Sequence, residues 1–111
     1  MDNDIKTWLY DISKAINEIE SYFLDRPKLY AEYQKDLRTK RAVERNIEII
    51  GEAMNRIIKH KHTIEVSNAR KIVDTRNRIS HGYDTISDEH IWSIVINHLP
   101  NLKTEIENLL K

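Results

Sequence analysis

Apolar residues recur at spacings of three and four along almost the whole of this chain, and that periodicity is the strongest constraint on what it can fold into. Ile5, Trp8, Leu9, Ile12, Ile16, Ile19 and Phe23 draw one stripe; Val43, Ile47, Ile50, Met54, Ile57 and Ile58 draw a second. Side chains three and four apart share one face of an α-helix, so each stripe predicts an amphipathic helix several turns long. A third stripe follows in Ala69, Ile72, Val73 and Ile79. A fourth runs through Ile91, Trp92, Ile94, Val95 and Leu99 and continues in Leu102, Ile106, Leu109 and Leu110. Two Gly and two Pro in 111 residues leave few places for the tight hairpins of a sandwich or barrel. The expected fold is all-α: an antiparallel four-helix bundle of the up-and-down kind, with short extra helical turns.

The few punctuating residues predict where the helices end. Asp2, Asn3 or Asp4 can cap the first helix, Ser67 the third and Ser87 the fourth. Residues 24–36 read as a connector with room for one helical turn after Pro27. Gly82 is placed to close the third helix after His81. Pro100 either kinks the fourth helix or opens a last one. Gly51, inside the second helix, costs that helix about 1 kcal/mol relative to Ala, which points to a close backbone approach by another helix, within the fold or across a dimer.

The length supports one domain over residues 1–111, small enough that a subunit partner is a natural helper. The absence of cysteine rules out disulfides and Cys-ligated metals. No stretch approaches the ~18 apolar residues of a membrane span, and the N-terminus lacks the basic start of a signal peptide. A soluble, cytoplasmic protein is expected. Charge is balanced at 18 basic and 18 acidic residues, which argues against bulk electrostatic binding of nucleic acid. The balance hides a segregation: residues 56–81 carry seven basic and two acidic side chains, whereas residues 1–36 and 82–111 are each net −3. A solvated helix face explains such a run, and so does a local phosphate site.

The basic segment ends on Arg76-Asn77-Arg78-Ile79-Ser80-His81-Gly82-Tyr83. Arg76 and Ser80 share a helix face, and His81, before a flexible Gly, can turn its ring back toward Arg76. Arg and His at a helix C-terminus also have a structural reading, since they satisfy the last carbonyls and complement the helix dipole. The chemical reading follows from what metal-free RNA cleavage needs: a base for the 2′ hydroxyl, an acid for the leaving oxygen, and a fixed cation for the charge growing on phosphate. His titrates near neutrality, and Arg presents a planar fork to phosphate oxygens. One such His per chain does not easily serve as both base and acid, whereas two copies facing each other across a symmetric dimer supply both. His60 and His62 lie two apart, which on a helix points them about 160–200° away from one another. They read as exposed basic loop residues, and no metal site or cofactor is expected.

The segment RNRISHGY resembles the Arg, four residues, His, one residue, Tyr motif of HepT-like proteins, the HEPN-domain ribonuclease toxins of toxin-antitoxin modules. The second helix, from Arg41 through Ile-Gly-Glu-Ala, is similar to that family's other hallmark. The closing IWSIVINHLPNLKTEIENLL resembles its last helices. The link KHKHTIEVSN departs from the pattern, lacking the proline and tryptophan that many relatives carry there. The resemblance implies a HEPN-like helical bundle that forms a homodimer, with metal-independent endoribonuclease action on an RNA substrate at the dimer cleft. It implies Arg76 and His81 as the catalytic pair with Asn77 as polar assistant. It also implies a partner, an MntA-type nucleotidyltransferase antitoxin that transfers AMP to Tyr83. Arg78 takes no catalytic role and stands with Arg41 and Arg45 as a candidate RNA contact. Arg41, Arg45, Asn46 and Glu52 match the second-helix pattern, which packing explains as well as chemistry. A different class of function fits the same balanced charge: a non-catalytic helical partner of a small nucleotidyltransferase.

Overall fold

Asp2 caps the first helix: its Oδ1 accepts the Asp4 N–H at 2.7 Å, and helix α1 runs from there over Asn3–Ser21. The computed structural model describes residues 2–60, 66, 69–81 and 86–111, with His81 described by its backbone. After α1 the chain turns through Pro27 into one short helix, α2 (Tyr30–Lys35), the extra turn expected of the connector. Asp36 separates it from α3 (Leu37–His60). The Asp36 carboxylate takes the Thr39 hydroxyl at 2.7 Å, the Thr39 N–H at 3.1 Å and the Arg26 guanidinium at 2.9 Å. These donors hold its pKa at about 2, below the ordinary 3.8.

Helix α4 covers Ala69–His81; the expected cap Ser67 and the expected stop Gly82 lie outside the described residues. Helix α5 (Asp88–Ser93) starts as expected at Ser87, whose Oγ accepts the His90 N–H at 3.1 Å. It passes through a π-helical turn, Ile94–His98, into α6 (Leu99–Leu110), with Pro100 in the first turn of α6. Pro100 thus opens the last helix, one of the two outcomes expected of it. It has no N–H to give and its ring crowds the carbonyl four residues back. The chain absorbs this by widening one turn, so that the Leu99 N–H reaches the Ile94 carbonyl.

The molecule is all-helical among the described residues. Helix α3 lies at the centre, packed against α1 on one side and α4 on the other, and α6 lies against α1. Leu9, Ile12 and Ile16 of α1 meet Ile47, Ile50 and Met54 of α3 in a core with no solvent exposure. A buried polar tie crosses this interface: Asn46 of α3 donates its amide to Tyr22 OH at 2.9 Å and, within its own helix, to the Ala42 carbonyl at 3.1 Å. At the α2 end, the indole of Trp92 gathers Tyr33 at 4.9 Å, Phe23 at 5.7 Å and Tyr30 at 6.3 Å between ring centroids. No described helix is long and apolar enough to cross a membrane.

Candidate functional site

Gly51 sets the geometry of the motif helix. A Cβ added there would run into Cβ of Arg76 and lie 3.0 Å from Arg76 Cγ and 3.1 Å from the Ile72 carbonyl oxygen. The close approach expected at this glycine therefore occurs within the fold, the neighbour is α4, and the residue laid across it is the arginine of the motif. Three residues earlier on α3, Glu48 Oε2 accepts the Ser80 hydroxyl at 2.9 Å. With Gly51 opposite Ile72 and Arg76 and Glu48 opposite Ser80, α3 and α4 run antiparallel.

The Arg76 side chain is thus fixed at both ends. Its stem rests on the bare backbone of Gly51, and its Nη1 donates to Asn77 Oδ1 at 2.8 Å. Both residues are half-buried. The guanidinium carries five N–H donors in a rigid fork, so the bond to Asn77 orients it without consuming its capacity for an oxyanion. Arg76 and Asn77, adjacent in the chain, are thus joined side chain to side chain. His81 ends α4, but its side chain, Gly82 and Tyr83 lie outside the described residues.

The remaining predicted residues divide between surface and scaffold. Arg41 and Arg45 are exposed on α3, and the Arg41 guanidinium, 72% exposed, sits 3.6 Å from Glu44 one turn away. Burial pushes the Glu44 carboxyl up from its ordinary value; Arg41 and Lys40 oppose this, and Asp88 and Glu48 reinforce it. Asn46 is spent on the α1 interface, and Glu52 pairs with Arg56 within α3 at 2.8 Å. Arg78 is exposed on α4. The cleft between α1 and α3 lined by Asp11, Lys14, Ala15, Glu18, Asn46 and Ile49 holds no motif residue.

One expectation needs correction. His60 is the last residue of α3, not a loop residue; its Nε2 lies 3.1 Å from Asp2 Oδ2, and its ring packs edge-on against Trp8 at 5.5 Å. Asp2, Asp4 and His60 place three potential metal-ligand atoms within 4.8 Å of one another. All three are exposed, and Asp2 is already committed to capping α1 and to His60. His62 lies outside the described residues.

The sequence reading missed a polar pair on the other flank of α4. Thr75 is 1% exposed, and its hydroxyl donates to the Lys71 carbonyl at 2.9 Å. With that proton used, the hydroxyl accepts from His90 Nε2 at 3.0 Å. Burial, with help from Arg78, Lys71 and His98, pulls the His90 pKa below its ordinary 6.5. Burial and then Lys71 do the same to His98. The available signal was Thr75 itself, a polar residue among the apolar positions Ile72, Val73 and Ile79 that must find partners if buried.

With the motif helix, its glycine seat and its Arg-Asn pair in place, residues 12–109 match the profile of the family described as "Ribonuclease HepT-like". The chain belongs to the HepT-like ribonuclease family. Its relatives include "Putative RNase MJ0127" of Methanocaldococcus jannaschii, 35% identical, with 97% of this chain and 88% of that protein covered. "Putative RNase MJ1380" of the same organism is 33% identical over 94% of each chain. "Probable ribonuclease HepT" of Thermococcus cleftensis is 33% identical over 96% of each. No solved structure matches the chain significantly. The HepT-like match takes in Gly51 and the whole segment from Arg76 to Tyr83.

Proposed function

We propose that this protein is the toxin of a toxin-antitoxin module: a metal-independent endoribonuclease with Arg76 and His81 as its catalytic pair, active as a homodimer. The observation that carries this reading is the immobilised Arg76, seated on Gly51 and tied to Asn77, in a chain of a ribonuclease family. In the proposed reaction the RNA 2′ oxygen attacks the adjacent phosphorus, the bond to the 5′ oxygen breaks, and a cyclic phosphate and a 5′ hydroxyl result. One His81 takes the 2′ proton and the other, across the dimer cleft, returns a proton to the leaving oxygen. Arg76 meets the charge that builds on the non-bridging oxygens, and Asn77 positions it. Zero net charge is no obstacle, because the positive residues concentrate in the segment that ends on the motif.

Silencing follows from the same site. An MntA-type nucleotidyltransferase antitoxin catalyses attack of the Tyr83 phenolic oxygen on the α-phosphate of ATP; pyrophosphate leaves and the phenolic proton is lost. AMP fixed two residues from His81 places bulk and negative charge where the RNA phosphate must sit.

The deciding experiment incubates purified protein with cellular RNA in EDTA, beside Arg76→Ala and His81→Ala. Cleavage by the wild type alone supports the assignment. Equal cleavage by all three, or by none, refutes it, and cleavage by none favours a non-catalytic helical partner of the nucleotidyltransferase. Intact mass after co-expression with the antitoxin reads the modification, and an AMP adduct that persists in Tyr83→Phe removes Tyr83 as acceptor.

A further inference from the structure

Helix α4 packs closely on α3, and its other flank meets the helix that follows the motif through the Thr75–His90 bond. Along that side of α4, Lys71, Thr75 and Arg78 share one face at spacings of four and three. Facing them, His90 and His98 lie eight residues apart, which at 3.6 residues per turn separates side chains by about 80° around the axis. The π turn takes up one additional residue and cuts that offset to about 20°, bringing both imidazoles to the same side. Such turns recur at functional sites.

We infer that Lys71, Arg78, His90 and His98 line a groove that holds the phosphate backbone of a single-stranded RNA as it passes the motif. The inference takes its ligand from the ribonuclease reading and its geometry from the fold alone. From Arg78 to Lys71 the groove runs about 10 Å along α4, enough to follow a strand rather than hold one ion. Asp74 borders the face on α4, and Asp88 and Glu89 precede His90 on its own helix. The charges that act on His90 are nonetheless cationic, from Arg78 and Lys71 across the groove and His98 along it. Burial first, and then these cations (Lys71 alone for His98), hold both imidazoles below their ordinary 6.5. His90 already gives its Nε2–H to Thr75, so its Nδ1 becomes a donor only by taking up a proton. An arriving phosphate favours that uptake by offsetting the neighbouring cations, so binding and protonation are coupled.

The test uses the full chain with His81→Ala, which leaves the groove intact and prevents cleavage. Histidine side-chain NMR is followed from pH 5 to 8, alone, with a 2′-O-methyl oligouridylate, and with inorganic phosphate at equal phosphate concentration. The oligonucleotide raises the pKa of both His90 and His98 by about 0.5 or more, and inorganic phosphate does not. Lys71→Glu with Arg78→Glu weakens oligonucleotide binding about tenfold or more, and raises the His90 pKa in the free protein. Unshifted histidines, or an equal shift with inorganic phosphate, overturn the groove. Wild type that cleaves RNA while its histidines stay unshifted removes the groove and leaves the nuclease reading. Shifted histidines in a protein whose wild type does not cleave remove the nuclease reading and leave the groove.

Discussion

Replacing Gly51 with Ala sets two opposed effects against each other. On helix propensity alone the change stabilises α3 by about 0.8–1.0 kcal/mol. Against this, the new methyl lies 3.0 Å from Arg76 Cγ and 3.1 Å from the Ile72 carbonyl oxygen, with Arg76 Cβ nearer still; ordinary separations are roughly 3.5–4.0 Å. Arg76 Cβ and the Ile72 carbonyl belong rigidly to the α4 backbone, so no rotamer change relieves the contact and α4 itself has to move out. Overpacking of this kind costs about 1–3 kcal/mol. The balance is a net loss of roughly 1 kcal/mol, a fall in Tm of about 4 °C for a domain of this size. With Arg76 in the proposed catalytic role, RNA cleavage falls much further, because the displaced helix carries it and misplacing a catalytic group by ~1 Å costs on the order of 100-fold. Thermal melts and cleavage assays, the latter run well below the melting range, separate the two effects. A Gly51→Ala protein that melts above wild type, as propensity alone demands, and cleaves at the wild-type rate refutes the contact between α3 and the motif arginine.

Three further outcomes follow from buried and titrating groups. Tyr33 is 2% exposed, and its hydroxyl has no hydrogen-bond partner among the described residues; Tyr33→Phe therefore leaves stability unchanged or raises it by up to ~1 kcal/mol, and a loss larger than that in urea unfolding shows the hydroxyl to be bonded. Thr75→Val keeps the shape but leaves His90 Nε2 and the Lys71 carbonyl without their shared hydroxyl, at a cost of about 1–2 kcal/mol, checked by the same unfolding curves. The pH profile carries two signatures. His90 and His98 have folded pKa values below 6.5, so their contribution is complete above 6.5 and is lost as pH falls below it, because the unfolded chain takes protons the folded one refuses. Asp36 adds a separate acid limb, complete above 3.8 and lost as pH falls through about 2; Asp36→Asn abolishes that limb and His90→Gln shallows the first, and unchanged slopes refute the assignments.

Much of the fold was readable in the residues. The stripes that begin at Ile5 and Val43 became α1 and α3 within a residue or two of their expected ends, and Asp2 and Ser87 capped as their chemistry requires. These features are local: they depend on 3.6-residue periodicity and on side chains that reach their own backbone, which neighbours in sequence decide. Gly51 was legible as a close approach because a glycine in a helix interior is unfavourable unless something needs the space. What lay beyond reach was which helix came close, and that its contact atoms would be those of Arg76. His60 was misplaced because a polar run looks like loop until a distant Asp2 and Trp8 appear beside it to hold it in the helix.

The sequence by itself thus determined an all-helical chain, the approximate extent of its long helices, the segregation of positive charge and the order of the motif residues, since each is a property of periodicity, composition or spacing. Only the tertiary structure decided that Arg76 lies on Gly51, that Ser80 answers Glu48, and that Thr75 meets His90. It also decided that the turn before Pro100 widens. Those pairs join residues 15 to 32 positions apart, or depend on a register change of one residue. Contacts of that kind exist only once the apolar faces have packed and fixed the distance between helices.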